Sequence, residues 1–263
     1  MEKIDITDVT FLIPVRIDSL DRLNNINLVI EYLKRKFITK IIVLEADIEE
    51  RFKNNPLVDK KIFAKDENPV FHHTKYRNLL SNYAFSKIIA MWDVDILLHY
   101  GQIMEAIGLI RRNKTKFVLP YDGRVFKIDP ILKRLYLTHK DLNIISQNQK
   151  KMNLMYGHFS FGGAFIVNRQ VYMEAGMENE KFYGWGPEDI ERVKRWEILG
   201  YNVEKINGPL YHLHHQRKKN SWYGSSDIEK KNRFEFIRIC RMSKIELLTY
   251  FGNQALEKQY LKT

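Results

Sequence analysis

Three stretches of this sequence put ionisable residues where they could do chemistry. Asp93-Val94-Asp95 sets two carboxylates one residue apart, a spacing that can offer oxygen ligands to a hard divalent cation. The same string also serves as loop-capping aspartates. The apolar run Ile88-Ile89-Ala90-Met91-Trp92 before it favours the metal by fixing the pair at the edge of a buried strand. Gly184-Trp185-Gly186-Pro187-Glu188-Asp189 combines glycines that let a ligand approach the backbone, an indole face suited to stacking on a sugar, and two acids opening a helix. A capped helix start explains the acids through the helix dipole but leaves Trp185 between glycines unexplained. Tyr211-His212-Leu213-His214-His215-Gln216-Arg217 could supply imidazole to a metal, and its arginine with Lys218 and Lys219 could hold phosphate. A solvated basic loop accounts for it equally well.

The elements that must position these residues alternate. Val9 to Val15 reads as a buried strand, and Leu20, Leu23, Ile26, Val29, Ile30 and Leu33 repeat at helical spacing after it. Strands are predicted at 40–44, 61–64, 87–92, 117–120 and 162–167, with helices at 74–85, 102–110 and 170–175. Residues 129–152 read as a polar helical insert. A further helix runs from Pro187 to Leu199, with Gly200 at its C′ position. Residues 202–206 and 209–212 are short extended pieces, and two amphipathic helices follow at 228–241 and 244–260. The alternation argues for an α/β fold with a mostly parallel sheet flanked by helices. The division read from this is a sheet domain over 1–222 and a C-terminal helical extension over 223–263. In such folds ligands bind at the carboxyl ends of the strands, where Arg16, Asp18, Glu45, Asp47, Asp93 and Asp95 stand.

The chain has 263 residues, 44% of them hydrophobic, and a formal charge of +11. That composition excludes a disordered or fibrous chain. The single cysteine, Cys240, excludes an intramolecular disulfide framework and a Cys-rich zinc module. No leader peptide is visible at Met1-Glu2-Lys3-Ile4-Asp5 and no apolar run approaches a membrane span, so the expected location is cytoplasmic. The glycine signatures of Rossmann dehydrogenases and P-loop NTPases are absent from the sequence. The positive charge is dispersed and carries no nucleic-acid reader motif, so nucleic acid is not an expected partner.

Taken in order, these pieces resemble a GT-A-fold (Rossmann-like) glycosyltransferase. They are most similar to bacterial family 2 enzymes whose C-terminal part matches the β-1,4-galactosyltransferase family. The resemblance runs from about Thr10 to Asn220. It rests on Ile13-Pro14-Val15-Arg16, Phe71-His72-His73-Thr74-Lys75-Tyr76-Arg77-Asn78, Asp93-Val94-Asp95, Phe161-Gly162-Gly163, the G-W-G-x-E-D string at Gly184 to Asp189, and the His-rich loop. It implies a UDP-sugar donor, Mn²⁺ or Mg²⁺ as cofactor, and an inverting transfer. Pro14, Val15 and Arg16 would contact the nucleotide, with Glu45 near the uracil. Asp95 would ligate the metal and Asp93 would lie by the ribose or donor sugar. Arg77, Val94, Gly162, Gly163, Trp185, Gly186 and Arg217 complete the expected substrate-binding set. Glu188 would bind sugar hydroxyls and Asp189 would be the catalytic base. The family's Met-x-x-His metal ligands match here as His212 and His215, whereas counting back without a gap from Lys218-Lys219-Asn220 selects His214.

Departures from the family are informative. Pro187 replaces a glycine, His73 stands where an arginine is usual, and Ser160 replaces a tyrosine that borders the donor's C2 substituent. A serine leaves room for an N-acetylhexosamine. The implied acceptor is a glycan or lipid-linked saccharide in surface polysaccharide synthesis. The C-terminal helices, with Lys230, Lys231, Arg233, Arg238, Arg241 and Lys244 among Phe234, Phe236 and Ile237, read either as a peripheral face on the inner side of a membrane or as helices packed on the domain. A catalytically inactive sugar- or nucleotide-sugar-binding protein on the same fold is the rival reading.

Overall fold

The computed structural model describes residues 2–216 and 224–260, with side chains through 252. Its organising strand is β1 (Ile4–Val15), whose last seven positions are all buried. Burial on both faces requires cover on both sides, and parallel strands supply the flanks: β2 (Phe37–Asp47) on one side and β4 (Ile88–Trp92) on the other. The intervening helix α1 (Leu20–Lys36) starts where the Ser19 hydroxyl accepts from the Arg22 amide, and its last turn carries Lys34, Arg35 and Lys36 against the helix dipole.

The chain continues through β3 (Lys60–Lys65), α2 (His73–Ser81), β5 (Ile96–Leu97), α3 (Tyr100–Arg111), β6 (Phe117–Leu119) and β7 (Val125–Ile128). Then come α4 (Pro130–His139), α5 (Asn143–Gln147), β8 (Asn153–Tyr156), β9 (Ala164–Asn168), α6 (Arg169–Glu174) and α7 (Glu188–Ile198). The last elements are β10 (Val203–Lys205), β11 (Leu210–Leu213), α8 (Ser226–Cys240) and α9 (Lys244–Tyr260). Seven strands form the main sheet in the order β10-β6-β9-β4-β1-β2-β3. Only β9 is antiparallel, to both β4 and β6. The predicted mixed α/β sheet of mostly parallel strands is therefore the architecture found.

A second sheet, β5-β11-β7-β8, was not expected from the sequence. Its strands have two to four residues each, too short for alternation to register. The insert at 129–152 does contain helices, α4 and α5, but they are bracketed by β7 and β8. Helix α7 starts one residue later than predicted, with Pro187 at the cap. Its end matches expectation: Gly200 has φ +93, its amide donates to Glu197 O, and the Tyr201 amide reaches Trp196 O, a Schellman stop.

Helix α8 docks on the turn before α7. Asn232 Nδ2 donates to the carbonyls of Tyr183 and Trp185 at 3.0 and 3.4 Å. In α9, the Phe251 ring lies 2.7 Å from where a Cβ on Gly176 would stand. Among the described residues no helix is long and apolar enough to cross a membrane. The core centres on Trp92 and Trp196, both with no exposed surface, and the Trp196 ring stacks on Phe117 at 4.1 Å between centroids. Replacing Trp196 with Ala should cost about 3–5 kcal/mol, measurable as a lower urea midpoint with little change in the slope of the transition.

Candidate active site

A cleft of about 490 Å³ opens at the carboxyl ends of β1 and β4. Pro14, Val15 and Arg16 enter it from the end of β1, and Asp93, Val94 and Asp95 from the end of β4. Gly162 and Gly163, just before β9, form part of its floor. Trp185, 38% exposed, stands on the rim with Gly186, and Glu188 and Asp189 enter from the first turn of α7. His212 on β11 and His215 beyond it complete the wall.

Strand pairing brings the histidines to the aspartate. In the β5–β11 ladder His212 is the register partner of Ile96, and the Leu213 amide donates to the Asp95 carbonyl at 2.6 Å. His215 Nε2 is then 3.1 Å from Asp95 Oδ2, and His212 Nε2 is 3.6 Å from Oδ1. One donor atom from each of the three residues lies within 4.8 Å of the others. A carboxylate with two imidazoles is a mixed oxygen–nitrogen set that fits a divalent ion such as Mn²⁺. His214 is not in this set; its carbonyl accepts from Asn25 Nδ2 on α1. Burial alone would raise the Asp95 carboxyl, but His212, His215 and Arg22 around it hold it well below the usual carboxylate range.

Asp93 faces the other way. Its Oδ1 accepts from Arg77 Nη2 at 3.2 Å and lies 3.6 Å from His73 Nε2. Burial, offset by Arg77 and reinforced by Asp95 and Asp189, pushes its carboxyl up to about 6. Arg77 Nη1 donates to Asp189 Oδ1 at 3.2 Å and also lies 3.4 Å from Glu178 Oε2. Arg192 repeats the bridge: Nη2 to Asp189 Oδ1 at 2.7 Å and Nη1 to Glu178 Oε2 at 2.6 Å. These guanidiniums overcome the burial of Asp189 and hold its carboxyl down at about 2. The lowering comes chiefly from the two arginines. The neighbouring Glu188 is different: burial and the Asp189 charge push it well above its usual value, and its Oε2 has no hydrogen-bond partner among the described residues.

Glycines make the close approaches possible. A Cβ on Gly162 would fall 2.2 Å from Asp189 Oδ2, so no side chain fits there while the acid keeps its place. Gly163 has φ +85, and its carbonyl accepts from the Asp93 amide at 2.9 Å. A Cβ on Gly186 would fall 2.7 Å from Asn232 Nδ2. Tyr121 donates its hydroxyl to the Gly162 carbonyl at 2.6 Å and lies 3.1 Å from Ser160 Oγ.

Two expected residues sit differently. Glu45 does not reach the cleft: its buried carboxylate accepts from the Arg51 and Phe52 amides, shaping the turn after β2. Arg16 lines the cleft, yet its guanidinium donates to Ala46 O, Asn68 O and Asp66 Oδ2. Arg217 lies outside the described residues. Sequence reasoning missed Arg22, whose Nη1 is 3.5 Å from Asp95 Oδ2, and also Glu178 and Arg192. Arg192 was findable, since it stands three residues after Asp189 on one helix face. Glu178 and Arg22 carry no local signal.

A family model described as the N-terminal domain of galactosyltransferase matches residues 144–217, a segment holding the glycine pair, the Gly184 to Asp189 turn and the histidines. No curated protein sequence gives a significant match. Among solved structures, GalNAc-T7 with UDP, GalNAc and Mn²⁺ is similar at 14% identity and TM-score 0.55, over 88% of this chain and 47% of that one. A variant of Drosophila β1,4-galactosyltransferase 7 with manganese, UDP-Gal and xylobiose is similar at 18% identity and TM-score 0.50, over 81% and 71%. The catalytic domain of the same Drosophila protein with xylobiose matches at 18% identity and TM-score 0.48, over 77% of this chain and 65% of that chain. The chain thus spans 65% and 47% of the lengths of two of these structures. The fold is the GT-A glycosyltransferase fold.

Replacing His212 or His215 with Ala should weaken Mn²⁺ binding by about tenfold or more, while His214→Ala should leave it unchanged in calorimetric titration. Because protons compete with the metal for imidazole nitrogen and carboxylate oxygen, the affinity should also fall in acid.

Proposed function

We propose that this chain is a metal-dependent, inverting glycosyltransferase. It moves a hexose or N-acetylhexosamine from a UDP-sugar to a hydroxyl of a glycan or lipid-linked acceptor. The observation that carries this reading is the convergence, in one cleft of the GT-A fold, of the Asp95–His212–His215 donor set with an ionised Asp189.

Asp95, His212 and His215 would hold Mn²⁺, which when bound supplies Lewis-acid stabilisation to the departing diphosphate. Arg22, paired with Asp18, also reaches within 3.5 Å of Asp95 Oδ2 and can add positive charge beside that set, whereas the Arg16 guanidinium is turned to Asp66, Ala46 O and Asn68 O. Asp189 accepts the proton of the acceptor hydroxyl. The acceptor oxygen forms its bond to the anomeric carbon as the bond from that carbon to the diphosphate oxygen breaks, and UDP leaves with the electron pair. One displacement inverts the configuration. A carboxylate held at about 2 is a weak base, so it receives the proton late, once bond formation has made the hydroxyl acidic. Glu188, pushed toward its protonated form by burial and by the Asp189 charge, can donate to a sugar oxygen. Trp185 offers its ring to an acceptor pyranose.

Ser160, close to the Tyr121 hydroxyl, leaves space beside the donor and supports acceptance of an N-acetylhexosamine as well as a hexose. Turnover of UDP-GalNAc alongside UDP-Gal is the expected result, and a strong preference for UDP-Gal would overturn that choice. The outer faces of α8 and α9 expose Phe234, Ile237, Ile245 and Leu248 near Lys230, Arg238 and Arg241. This supports a peripheral contact with the cytoplasmic face of a bacterial membrane carrying a lipid-linked acceptor for surface polysaccharide synthesis. Co-sedimentation with anionic but not neutral vesicles is the outcome expected of it.

Asp189→Asn should lower transfer by about 10²–10⁴ while UDP–Mn²⁺ affinity by calorimetry stays near the wild-type value. Retained transfer would refute Asp189 as base. A wild-type chain that binds UDP-sugars with Mn²⁺ but releases no UDP, even by slow hydrolysis, would instead be the inactive binding protein.

A further inference from the structure

Glu178 does not line the cleft, and nothing in the proposed reaction uses it. It nevertheless sits at the centre of the charged groups behind the floor. Its side chain is 1% exposed. Oε2 takes Arg192 Nη1 at 2.6 Å and Arg77 Nη1 at 3.4 Å, while Oε1 accepts from the Tyr172 hydroxyl at 3.0 Å. Its backbone is locked as well, the amide donating to Asn78 Oδ1 and the carbonyl accepting from Asn78 Nδ2. Helices α2 and α6 thereby hold the carboxylate still, and the carboxylate holds two guanidiniums.

Those guanidiniums converge on a single atom. Asp189 Oδ1 accepts from Arg77 at 3.2 Å and from Arg192 at 2.7 Å, whereas Oδ2 lies over Gly162. We infer that Glu178 is a positioning residue for Asp189: it anchors Arg77 and Arg192 so that both clamp Oδ1 and leave Oδ2 to take the acceptor proton. The inference rests on Asp189 being the catalytic base. Charge balance supports it. Arg77 and Arg192 each bridge Glu178 to Asp189, so two guanidiniums face two carboxylates. The charged and titratable groups facing Asp189 include Arg77 and His73 from α2, Tyr121 after β6, Arg192 and Glu188 from α7, and Asp93 from the end of β4. Glu178 reaches it through the arginines.

The kinetic test is Glu178→Gln, which keeps the shape and removes the charge. The expected result is a kcat lower by about 10–100-fold with KM for the UDP-sugar within about twofold. In an Asp189→Asn background the same change should cost less than about twofold, because residues acting through one group are not additive. An equal loss in both backgrounds, or a raised KM at unchanged kcat, would overturn the inference. Should Glu178→Gln fail to fold, Tyr172→Phe removes only the hydroxyl on Oε1, and a smaller loss confined to kcat is expected. A readout independent of turnover is the ¹³C carboxyl resonance of Asp189. Arg192→Gln should raise its titration by about one pH unit or more, and an unmoved titration would remove the clamp. No turnover by the wild-type chain would sink the functional reading, while this resonance would still decide whether the clamp exists.

Discussion

The rest of the site depends on the Arg77 guanidinium, 2% exposed and within reach of Asp93, Asp189 and Glu178 at once. Burying a charge costs several kcal/mol unless it is paired and hydrogen-bonded, so this group is tolerable only with its carboxylates in place. The carboxylates are in turn tolerable only with Arg77 and Arg192 beside them. The arrangement is collective, and removing either sign strands the other in a low-dielectric interior, a loss on the order of 3–5 kcal/mol. It binds together α2, the end of β4, the segment after α6 and the first turn of α7, elements spread over more than a hundred positions of chain. Two carboxylates that would repel each other across a cleft are thereby held on opposite sides of one cation.

The same constraint divides labour among the acids. Asp95, surrounded by imidazoles and Arg22, is kept ionised and ready to ligate. Asp189 is kept ionised by two arginines. Glu188, one residue away, has no such ion-pair partner among the described residues and is forced toward the protonated form. Neighbouring carboxyl groups with opposite proton affinities can respectively accept and donate hydrogen bonds, and a hydroxyl can meet both.

Packing around the two glycines joins this chemistry to the fold. Strand β9 runs antiparallel in an otherwise parallel sheet, and so the residues preceding it arrive beside the carboxyl end of β4. The absence of side chains at Gly162 and Gly163 lets Asp189 come down from α7 and lets Leu210 and Ile96 of the small sheet press in from the other side. The small sheet then delivers His212. Helix α8 closes the back of the turn before α7 through Asn232, and α9 packs Phe251 on Gly176 after α6, so the stretch after the His-rich loop supports the site from behind.

Much of this could be read along the chain because it rests on local rules. Apolar runs set the strands of the main sheet, Gly200 stopped α7, and the polar residues at strand ends, Asp93 to Asp95 and Glu188-Asp189, marked the cleft without any coordinates. The spacing of His212 and His215 was visible too, although sequence alone left His214 as an alternative. What only the tertiary structure decided were relations between distant segments. Register between β5 and β11 chose the histidines, Asp66 claimed Arg16, the amides of Arg51 and Phe52 claimed Glu45, and Glu178 met Arg77 and Arg192 behind the floor. The physical reason is one of range. Strand burial and helix stops depend on neighbours in sequence, whereas a buried charge is paired by whatever group the completed fold sets beside it, and no short stretch of sequence carries that information.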